Sequence, residues 1–231
     1  MERKKYVIFT AGGSGTRMKS SERKQFMLLD GLPVLHRSIL AFVEACPDVK
    51  VVTVLPEEHI GRWEELCVTY ALDVPQKIVK GGITRFHSVR NALEKVPGGA
   101  IVAVHDGVRP NVSAGLIRTM FEKMRSCRAL IPVLPVTDTL KSLTRNADGE
   151  IVATGDPDPD RSRVYGAQTP QMFLSEDLKA AYGQPFDTAF TDDASVASRY
   201  GIPLSYIEGE RNNIKLTIPE DFLLLSRLWK L

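Results

Sequence analysis

Residues 6–18 read YVIFTAGGSGTRM, an apolar run from Tyr6 to Phe9 that leads into a glycine-rich turn. The run predicts a β-strand, and three glycines among residues 12–15 permit a sharp turn after it. In parallel α/β sheets, ligands bind where a strand ends and a helix begins, and the N–H groups of such a turn can approach a phosphate closely. The stretch therefore predicts an α/β fold whose first strand leads into an anion-binding loop.

The loop matches neither of two common nucleotide-binding motifs. It lacks the GxxxxGK[ST] pattern of a P-loop, and Met18 stands where a GxGxxG dinucleotide motif has its third glycine. Two cations follow instead, Arg17 and Lys24. A planar guanidinium and a mobile ammonium suit phosphate charge that changes during phosphoryl or nucleotidyl transfer. The alternative is that both are solvated residues of the polar segment around KSSERK at 19–24.

Strand-like and helix-like segments alternate along the rest of the chain. We expect strands at 51–55, 74–79, 100–104, 129–136, 164–167 and 203–207, and helices at 33–45, 57–71, 83–96, 113–126, 176–182, 192–200 and from Pro219 onward. The run from Ala100 to Val104 is apolar throughout, which is typical of a strand buried on both faces of a parallel sheet. We predict a Rossmann-like, mostly parallel sheet with helices on both faces.

The pattern changes at about residues 138–163. An Asp148-Gly149 turn signal separates two short β-capable pieces, Thr139–Leu143 and Ile151–Thr154. We predict a β-hairpin arm inserted into a single domain of residues 1–231. Because an isolated hairpin is marginally stable, the arm is expected to pack on another surface, and a second subunit is one candidate.

Composition narrows the classes of function. The 231 residues include 30 Lys and Arg against 28 Asp and Glu, a net charge of +2 that argues against a nucleic-acid partner. No apolar stretch of the sequence approaches the length of a membrane span. The cysteines, Cys46, Cys67 and Cys127, are widely spaced and odd in number, which favours a reducing compartment. We expect a cytoplasmic protein without a membrane partner.

Several motifs together resemble one enzyme family. They are AGGSGTRM at 11–18 followed by KQF at 24–26, GGITRFHSV at 81–89, HDGVRP at 105–110, DTLK at 138–141, TPQMF at 169–173, TDDAS at 191–195 and GERNNIKLTIPED at 209–221. In this order the chain resembles the 2-C-methyl-D-erythritol 4-phosphate cytidylyltransferases of the non-mevalonate isoprenoid pathway. The resemblance implies a homodimeric, Mg²⁺-dependent enzyme that transfers CMP from CTP to a sugar-alcohol phosphate and releases pyrophosphate.

The resemblance also implies roles for individual residues. The catalytic residues are Arg17, Lys24, Arg161 and Lys215. The CTP-binding residues are Ala11, Gly12, Gly13, Ser14, Gly15, Gly82, Arg85, Ser88 and Asp106. The residues that bind the second substrate are Asp106, Arg109, Thr139, Arg161 and Lys215. No metal ligand is certain from the sequence, because Mg²⁺ would be held mainly by the CTP phosphates, with Asp106 as the candidate protein ligand.

The chain departs from the family pattern at several positions. Arg23 stands where the family has proline, and the HDxxRP segment has Gly107 and Val108 in its middle. The arm is longer than expected, so Arg163 competes with Arg161 as the phosphate ligand. Thr139 and Arg161 lie in or beside the arm, and the resemblance implies that they reach the neighbouring subunit's site.

Alternatives remain open at this point. Ribitol 5-phosphate cytidylyltransferases share the loop and the HDxxRP segment, and hexose-1-phosphate pyrophosphorylases are more remote relatives with a different base or sugar. A nucleotide-binding module without activity and a dinucleotide-dependent oxidoreductase are candidates from other classes. The proposed chemistry needs no general base, because a phosphate nucleophile is already an anion, so we expect His105 to be structural.

Overall fold

The computed structural model describes residues 2–13 and 22–228. The strands are β1 (Lys5–Thr10), β2 (Leu28–Leu29), β3 (Leu32–Pro33), β4 (Lys50–Leu55), β5 (Gln76–Lys80), β6 (Ile101–Asp106), β7 (Ala129–Pro135), β8 (Leu143–Arg145), β9 (Ile151–Ala153), β10 (Tyr165–Ala167), β11 (Gln171–Leu174) and β12 (Ser205–Glu208). The helices are α1 (Val34–Ala45), α2 (Ile60–Thr69), α3 (Arg85–Leu93), α4 (Ala114–Lys123), α5 (Ser175–Ala181), α6 (Asp193–Arg199) and α7 (Pro219–Leu228).

Eight strands form one mostly parallel sheet. β5, β4, β1 and β6 pair in parallel in that order, β11 pairs antiparallel with both β6 and β7, and β12 pairs parallel with β7 on its other edge. β10 continues along the same edge of β7 as β11. β6 is buried along its whole length, as the apolar run in the sequence predicts. The predicted mostly parallel α/β sheet is confirmed.

Helices cover both faces of this sheet. Side chains alternate along a strand, so Val7 and Phe9 of β1 face one side while Ile8 faces the other. Residues of α1, α2 and α4 pack with the first set, and residues of α3, α5 and α6 pack with the second. A smaller cluster joins α7 to the loops above the sheet through Leu225, Leu216 and Val108.

The arm forms a two-stranded hairpin, β8 with β9, apart from the main sheet. Its turn is built as predicted, with Gly149 at φ +82° and the Asn146 Oδ1 atom accepting from the main-chain N–H groups of Asp148 and Glu150. The expected first strand at Thr139–Leu143 is wrong, because β8 begins at Leu143. Pairing outward from the turn sets Leu143 opposite Ala153, and residues 139–142 precede that ladder.

Helix ends differ from the expectations by a few residues. The helix expected at 83–96 begins at Arg85, because the Thr84 side chain caps it by accepting from the His87 N–H. The helix expected at 57–71 opens with a 3-10 turn at Glu57–His59. No helix within the described ranges is long and apolar enough to cross a membrane.

Candidate active site

A cleft of about 600 Å³ opens where four parallel strands end. Because β1, β4, β5 and β6 run in the same direction, their carboxyl ends meet at one edge of the sheet. Its lining includes Gly12 and Gly13 after β1, Gly82 after β5 and Asp106 at the end of β6. This is the edge at which parallel α/β sheets bind ligands.

The glycine-rich loop enters the cleft from β1. The Ala11 N–H donates to the Val54 carbonyl at 3.0 Å, and the buried Gln25 side chain donates to the Ala11 carbonyl at 2.7 Å. A Cβ atom added at Gly12 or Gly13 would lie at least 3.7 Å from its nearest described neighbours, an ordinary contact distance. Packing against the described residues therefore does not require glycine here, and the absence of a side chain leaves the main chain open to close approach by a ligand.

Part of the predicted loop lies outside the described residues. Ser14, Gly15 and Arg17 belong to that part, whereas Ala11, Gly12 and Gly13, which are also predicted to bind CTP, line the cleft.

Lys24 lines the same cleft on the far side of the loop. Its ammonium donates to the Leu216 carbonyl at 3.0 Å, so it also contacts the segment that carries Lys215. The departure at Arg23 leaves the local turn intact. The Arg23 carbonyl accepts from the Phe26 N–H at 2.8 Å, and the Arg23 N–H, which a proline would lack, donates to Glu22 Oε1 at 3.3 Å.

Asp106 is the centre of a buried charge cluster. Its Oδ2 atom lies 3.0 Å from Lys215 Nζ and 3.3 Å from Arg109 Nε. Burial alone would raise the pKa of the Asp106 carboxyl, but the nearby cations Lys215, Arg85 and Arg109 outweigh it and hold that pKa below its usual range. Asp106 is therefore ionised at neutral pH.

Arg109 backs this carboxylate. Its Nη1 atom donates to the Asn213 carbonyl at 2.7 Å, and its side chain is 12% exposed. Burial lowers the pKa of Arg109 and Asp106 opposes that effect, but an arginine stays charged under either influence. Arg109 contacts Asp106 from beside the cleft, while Lys215 lines it.

The segment 81–88 forms the opposite wall. The Gly82 N–H donates to Ser88 Oγ at 3.0 Å, and Ser88 Oγ donates to the Thr84 carbonyl at 2.9 Å. A Cβ atom at Gly82 would lie 2.4 Å from His87 Cβ and 3.0 Å from the His87 carbonyl carbon, so glycine is required here by packing. Gly82, Ser88 and Arg85, the residues of this segment predicted to bind CTP, all line the cleft.

A buried carboxylate that the sequence reasoning missed holds Arg85. Asp193 is fully buried and accepts from Arg85 Nη1 at 3.0 Å and Nη2 at 2.5 Å, and Tyr182 donates its hydroxyl to the same carboxylate at 2.6 Å. Burial would lower the pKa of Arg85, but Asp193 raises it above its usual range. The TDDAS motif could have indicated this, since its first aspartate, Asp192, caps α6 and leaves the second for another task.

The arm residues lie apart from this group. Thr139 and Arg161 are exposed and do not line the cleft formed by the described residues of their own chain. Arg161 donates from Nη1 to the Thr137 carbonyl at 2.7 Å. Its competitor Arg163 lines a different groove, with Tyr165 and Tyr206. The predicted site therefore divides into a cleft group and an arm group.

Comparisons with known proteins point to one family. A profile of 2-C-methyl-D-erythritol 4-phosphate cytidylyltransferase matches residues 6–228. The protein of that name from Porphyromonas gingivalis is 45% identical over 230 residues, 99% of each chain. The one from Bacteroides thetaiotaomicron is 43% identical over 225 residues, 97% of this chain and 99% of its own. The crystal structure of a 4-diphosphocytidyl-2C-methyl-D-erythritol synthase from Anaerococcus prevotii superposes with a TM-score of 0.78 at 26% identity, covering 100% of this chain and 97% of that one.

Proposed function

The chain belongs to the 2-C-methyl-D-erythritol 4-phosphate cytidylyltransferase family and transfers CMP from CTP to 2-C-methyl-D-erythritol 4-phosphate, and we propose that the cleft at the ends of β1, β4, β5 and β6 is where it does so. The sequence left open whether the acceptor is 2-C-methyl-D-erythritol 4-phosphate or ribitol 5-phosphate. Membership of this family decides for 2-C-methyl-D-erythritol 4-phosphate.

The observation that supports this location of the active site is that cationic side chains and a glycine-rich loop line the same cleft. Lys24 and Lys215 line one cleft with Gly12 and Gly13, and Asp106 in the same cleft pairs with Lys215. Both substrates are phosphate anions, and cations held in a partly enclosed cleft stabilise phosphate charge far better than cations in water.

The reaction exchanges one phosphoanhydride bond for another. A phosphate oxygen of the acceptor forms a bond to the α-phosphorus of CTP, and the bond from that phosphorus to the bridging oxygen of the β-phosphate breaks, so pyrophosphate leaves with its electron pair. The attacking oxygen is already an anion, so no proton has to be removed. Catalysis then depends on alignment and on charge stabilisation at the α-phosphate, for which we propose Lys24 and, from the family resemblance, Arg17.

We assign the base and the acceptor to opposite walls of the cleft. Gly82 and Ser88 lie on the wall that we propose for cytosine, where the Ser88 hydroxyl can exchange its bond to the Thr84 carbonyl for one to the edge of the base. Arg85 is held beside them by Asp193. Lys215, Asp106 and the supporting Arg109 form the wall that we propose for the acceptor phosphate.

The family uses a divalent cation, and we propose that it is Mg²⁺. Among the residues that the structure describes, no group of three or more His, Cys, Asp or Glu side chains could form a protein cage for a metal ion. Mg²⁺ is commonly held by one or two carboxylates together with substrate phosphates and water, so Asp106, the buried carboxylate among the described residues that line the cleft, fits such a site. The cation, when bound, neutralises triphosphate charge and orients it.

We propose a homodimer in which each arm serves the partner's cleft. Leu143, Ile151, Val152 and Tyr165 expose apolar surface on and beside the hairpin, which is typical of a surface that another chain covers. Thr139 and Arg161 do not line the described part of their own chain's cleft, so they would reach a cleft only if the arm extends to a second subunit.

Mixed dimers test this arrangement. Arg161→Ala and Lys215→Ala subunits, each inactive alone, would be co-expressed with different tags. If the arm acts on the partner's cleft, half of the randomly formed dimers are mixed and each has one intact site, so about a quarter of wild-type activity returns. No return of activity would place Arg161 outside the partner's site, and Arg163→Ala tests the competing arginine in the same assay.

The assignment of the reaction itself is tested by pyrophosphate release. CTP and Mg²⁺ are supplied with either 2-C-methyl-D-erythritol 4-phosphate or ribitol 5-phosphate, and ATP, GTP and UTP are offered in competition. We expect release with the methylerythritol acceptor and preference for CTP. Release with ribitol 5-phosphate alone would keep the mechanism and reassign the acceptor.

A further inference from the structure

His105 is a fully buried histidine near the end of β6, next in sequence to Asp106, which lines the cleft, and the reaction leaves it without a chemical task. Its Nε2 atom lies 3.1 Å from the Arg109 carbonyl oxygen, and its Nδ1 atom lies 3.1 Å from Thr169 Oγ1. The same Thr169 hydroxyl lies 3.0 Å from the main-chain nitrogen of Asp106. The His105 ring is therefore bonded directly to Arg109 and, through Thr169, to Asp106. These two residues of the charge cluster lie in the same turn.

The direction of each hydrogen bond follows from the groups involved. The Arg109 carbonyl can only accept, so Nε2 carries the proton and donates. In a neutral ring Nδ1 is then the acceptor, so the Thr169 hydroxyl donates its one proton to it. The lone pairs of Thr169 Oγ1 are left to accept the Asp106 N–H. All of these polar atoms are thereby satisfied by one arrangement of protons.

The surroundings favour this neutral form. The ring packs at 5.8 Å from Phe9 and 5.1 Å from Phe42, measured between ring centroids. The His105 side chain has no exposed surface, so a charged ring there would lack solvation by water. Thr169 is also buried, and its carbonyl accepts from Asn213 Nδ2 at 2.8 Å.

These bonds fix the turn that presents the charges. The Arg109 N–H donates to the Asp106 carbonyl at 3.0 Å, and the Gly107 N–H donates to the Thr10 carbonyl at 3.0 Å. In addition, the His105 ring donates a hydrogen bond to the Arg109 carbonyl, and the Thr169 hydroxyl accepts one from the Asp106 N–H. The main chain is thus tied at both ends of the turn whose side chains meet 3.3 Å apart.

We infer that His105 and Thr169 are a positioning pair, which sets the Asp106 carboxylate and the Arg109 guanidinium in the geometry that receives the acceptor phosphate. This inference rests on the function proposed above, because it takes the acceptor wall from it. A small displacement of a positioned charge can lower turnover by one to two orders of magnitude.

Two nearly isosteric variants of Thr169 provide the kinetic test. Thr169→Val removes the hydroxyl and keeps the shape, whereas Thr169→Ser keeps the hydroxyl. We expect Thr169→Val to lower kcat/KM for the acceptor by about 10- to 100-fold, with a smaller change in KM for CTP, and Thr169→Ser to restore most of the loss. Unfolding temperatures are measured for both. Equal kcat/KM values for the two variants would overturn the inference.

A double-mutant cycle separates positioning from general support of the fold. If Thr169 acts through Arg109, then Thr169→Val costs far less in an Arg109→Ala background than in the wild type. Additive effects in this background and also in an Asp106→Asn background, which tests the bond from the Asp106 N–H to Thr169, would mean a structural role only and would overturn the inference. If Thr169→Val does not fold, His105→Gln, which keeps a donor and an acceptor, is compared with His105→Met in the same cycle.

The tautomer is tested without any assay of activity. Nitrogen-15 NMR of the imidazole in the substrate-free protein at pH 7 should show a proton on Nε2 and a bare Nδ1. A proton on Nδ1 would overturn the pairing. Wild-type protein that released no pyrophosphate would contradict the proposed function instead, and the tautomer would still be readable, so the two failures are distinguishable.

Discussion

The cleft and the arm both depend on charged side chains, but they hold them in opposite ways. In the cleft, Asp106 and Asp193 are buried and bond to cations from distant parts of the chain. In the arm, the ion pair between Lys141 and Asp158 has side chains 59% and 45% exposed, and Asn146 bonds only within its own turn. Contacts between distant parts of the chain therefore organise the described part of the cleft, whereas the hydrogen bonds and the ion pair described for the arm join residues within 136–164. We propose that the position of the arm relative to a cleft is set by its contacts with a second subunit.

The largest effect on stability is expected where a buried pair is broken. Asp193→Ala leaves the Arg85 guanidinium without its carboxylate and removes the acceptor of the Tyr182 hydroxyl. Breaking a buried ion pair from one side typically costs about 3–5 kcal/mol. We expect a loss of that order in the free energy of unfolding, measured by urea denaturation, and a raised KM for CTP.

The matched change in the arm is Asp158→Asn, which breaks the exposed pair with Lys141. Exposed pairs are screened by water and salt, so we expect no measurable change in the free energy of unfolding. A loss as large as that of Asp193→Ala would contradict the distinction between the two regions.

The next effect is on turnover. Lys215→Ala removes a cation that lines the cleft and contacts Asp106, and removal of one fixed charge-stabilising donor lowers kcat by about 10²–10³-fold in comparable sites. We expect a loss of that size in pyrophosphate release. Lys95→Ala changes an exposed lysine between α3 and β6, at the opposite edge of the sheet, and should leave kcat within the error of the assay. Comparable kcat values for the two variants would remove Lys215 from the catalytic set.

The free energy of unfolding of the protein should also depend on pH. The pKa of His105 is about 4 in the folded protein against 6.5 for an ordinary histidine, so between these values the unfolded chain binds a proton that the folded chain does not. Stability is therefore complete above pH 6.5 and falls as the pH drops toward 4, by roughly 3 kcal/mol in total, at about 1.36 kcal/mol per unit of pKa. The buried His36, whose pKa is also lowered, contributes in the same direction.

Urea denaturation at pH 7, 6, 5 and 4 measures this dependence. His105→Gln removes the titrating ring, so its free energy of unfolding should vary less over the same range. The remaining slope should reflect His36 and, toward pH 4, carboxyl groups such as Asp106 whose pKa is lowered in the folded protein. An unchanged slope would mean that His105 is not the group that takes up the proton.

The sequence predicted the features that depend on local spacing. The apolar runs located the parallel strands, and the motifs placed Lys24, Gly82 and Asp106 at one cleft. It did not predict β11, whose four residues pair antiparallel in the middle of the sheet, because that pairing depends on distant strands. It did not assign roles to Asp193 or Thr169 either, whose partners Arg85 and His105 lie 108 and 64 residues away in sequence. Whether a polar side chain is buried can be predicted only once the positions of the elements that cover it are known.

The smallest effect is expected at Gly149 in the arm, which is required for its backbone conformation, whereas Gly82 in the cleft is required by packing. Gly149 in the arm has φ +82° and nothing within 4 Å of an added Cβ atom, so Gly149→Ala strains only the backbone, by about 1–2 kcal/mol. The hairpin pairs with no strand of the main sheet, so this strain should open the turn and leave the urea midpoint of global unfolding unchanged. Hydrogen exchange should be faster at the Asn146 and Gly149 amides, which bond across that turn, while amides of β6 keep their protection. Gly82→Ala in the cleft meets His87 instead, so it should shift the urea midpoint, and a matching shift from Gly149→Ala would mean that the arm unfolds together with the sheet.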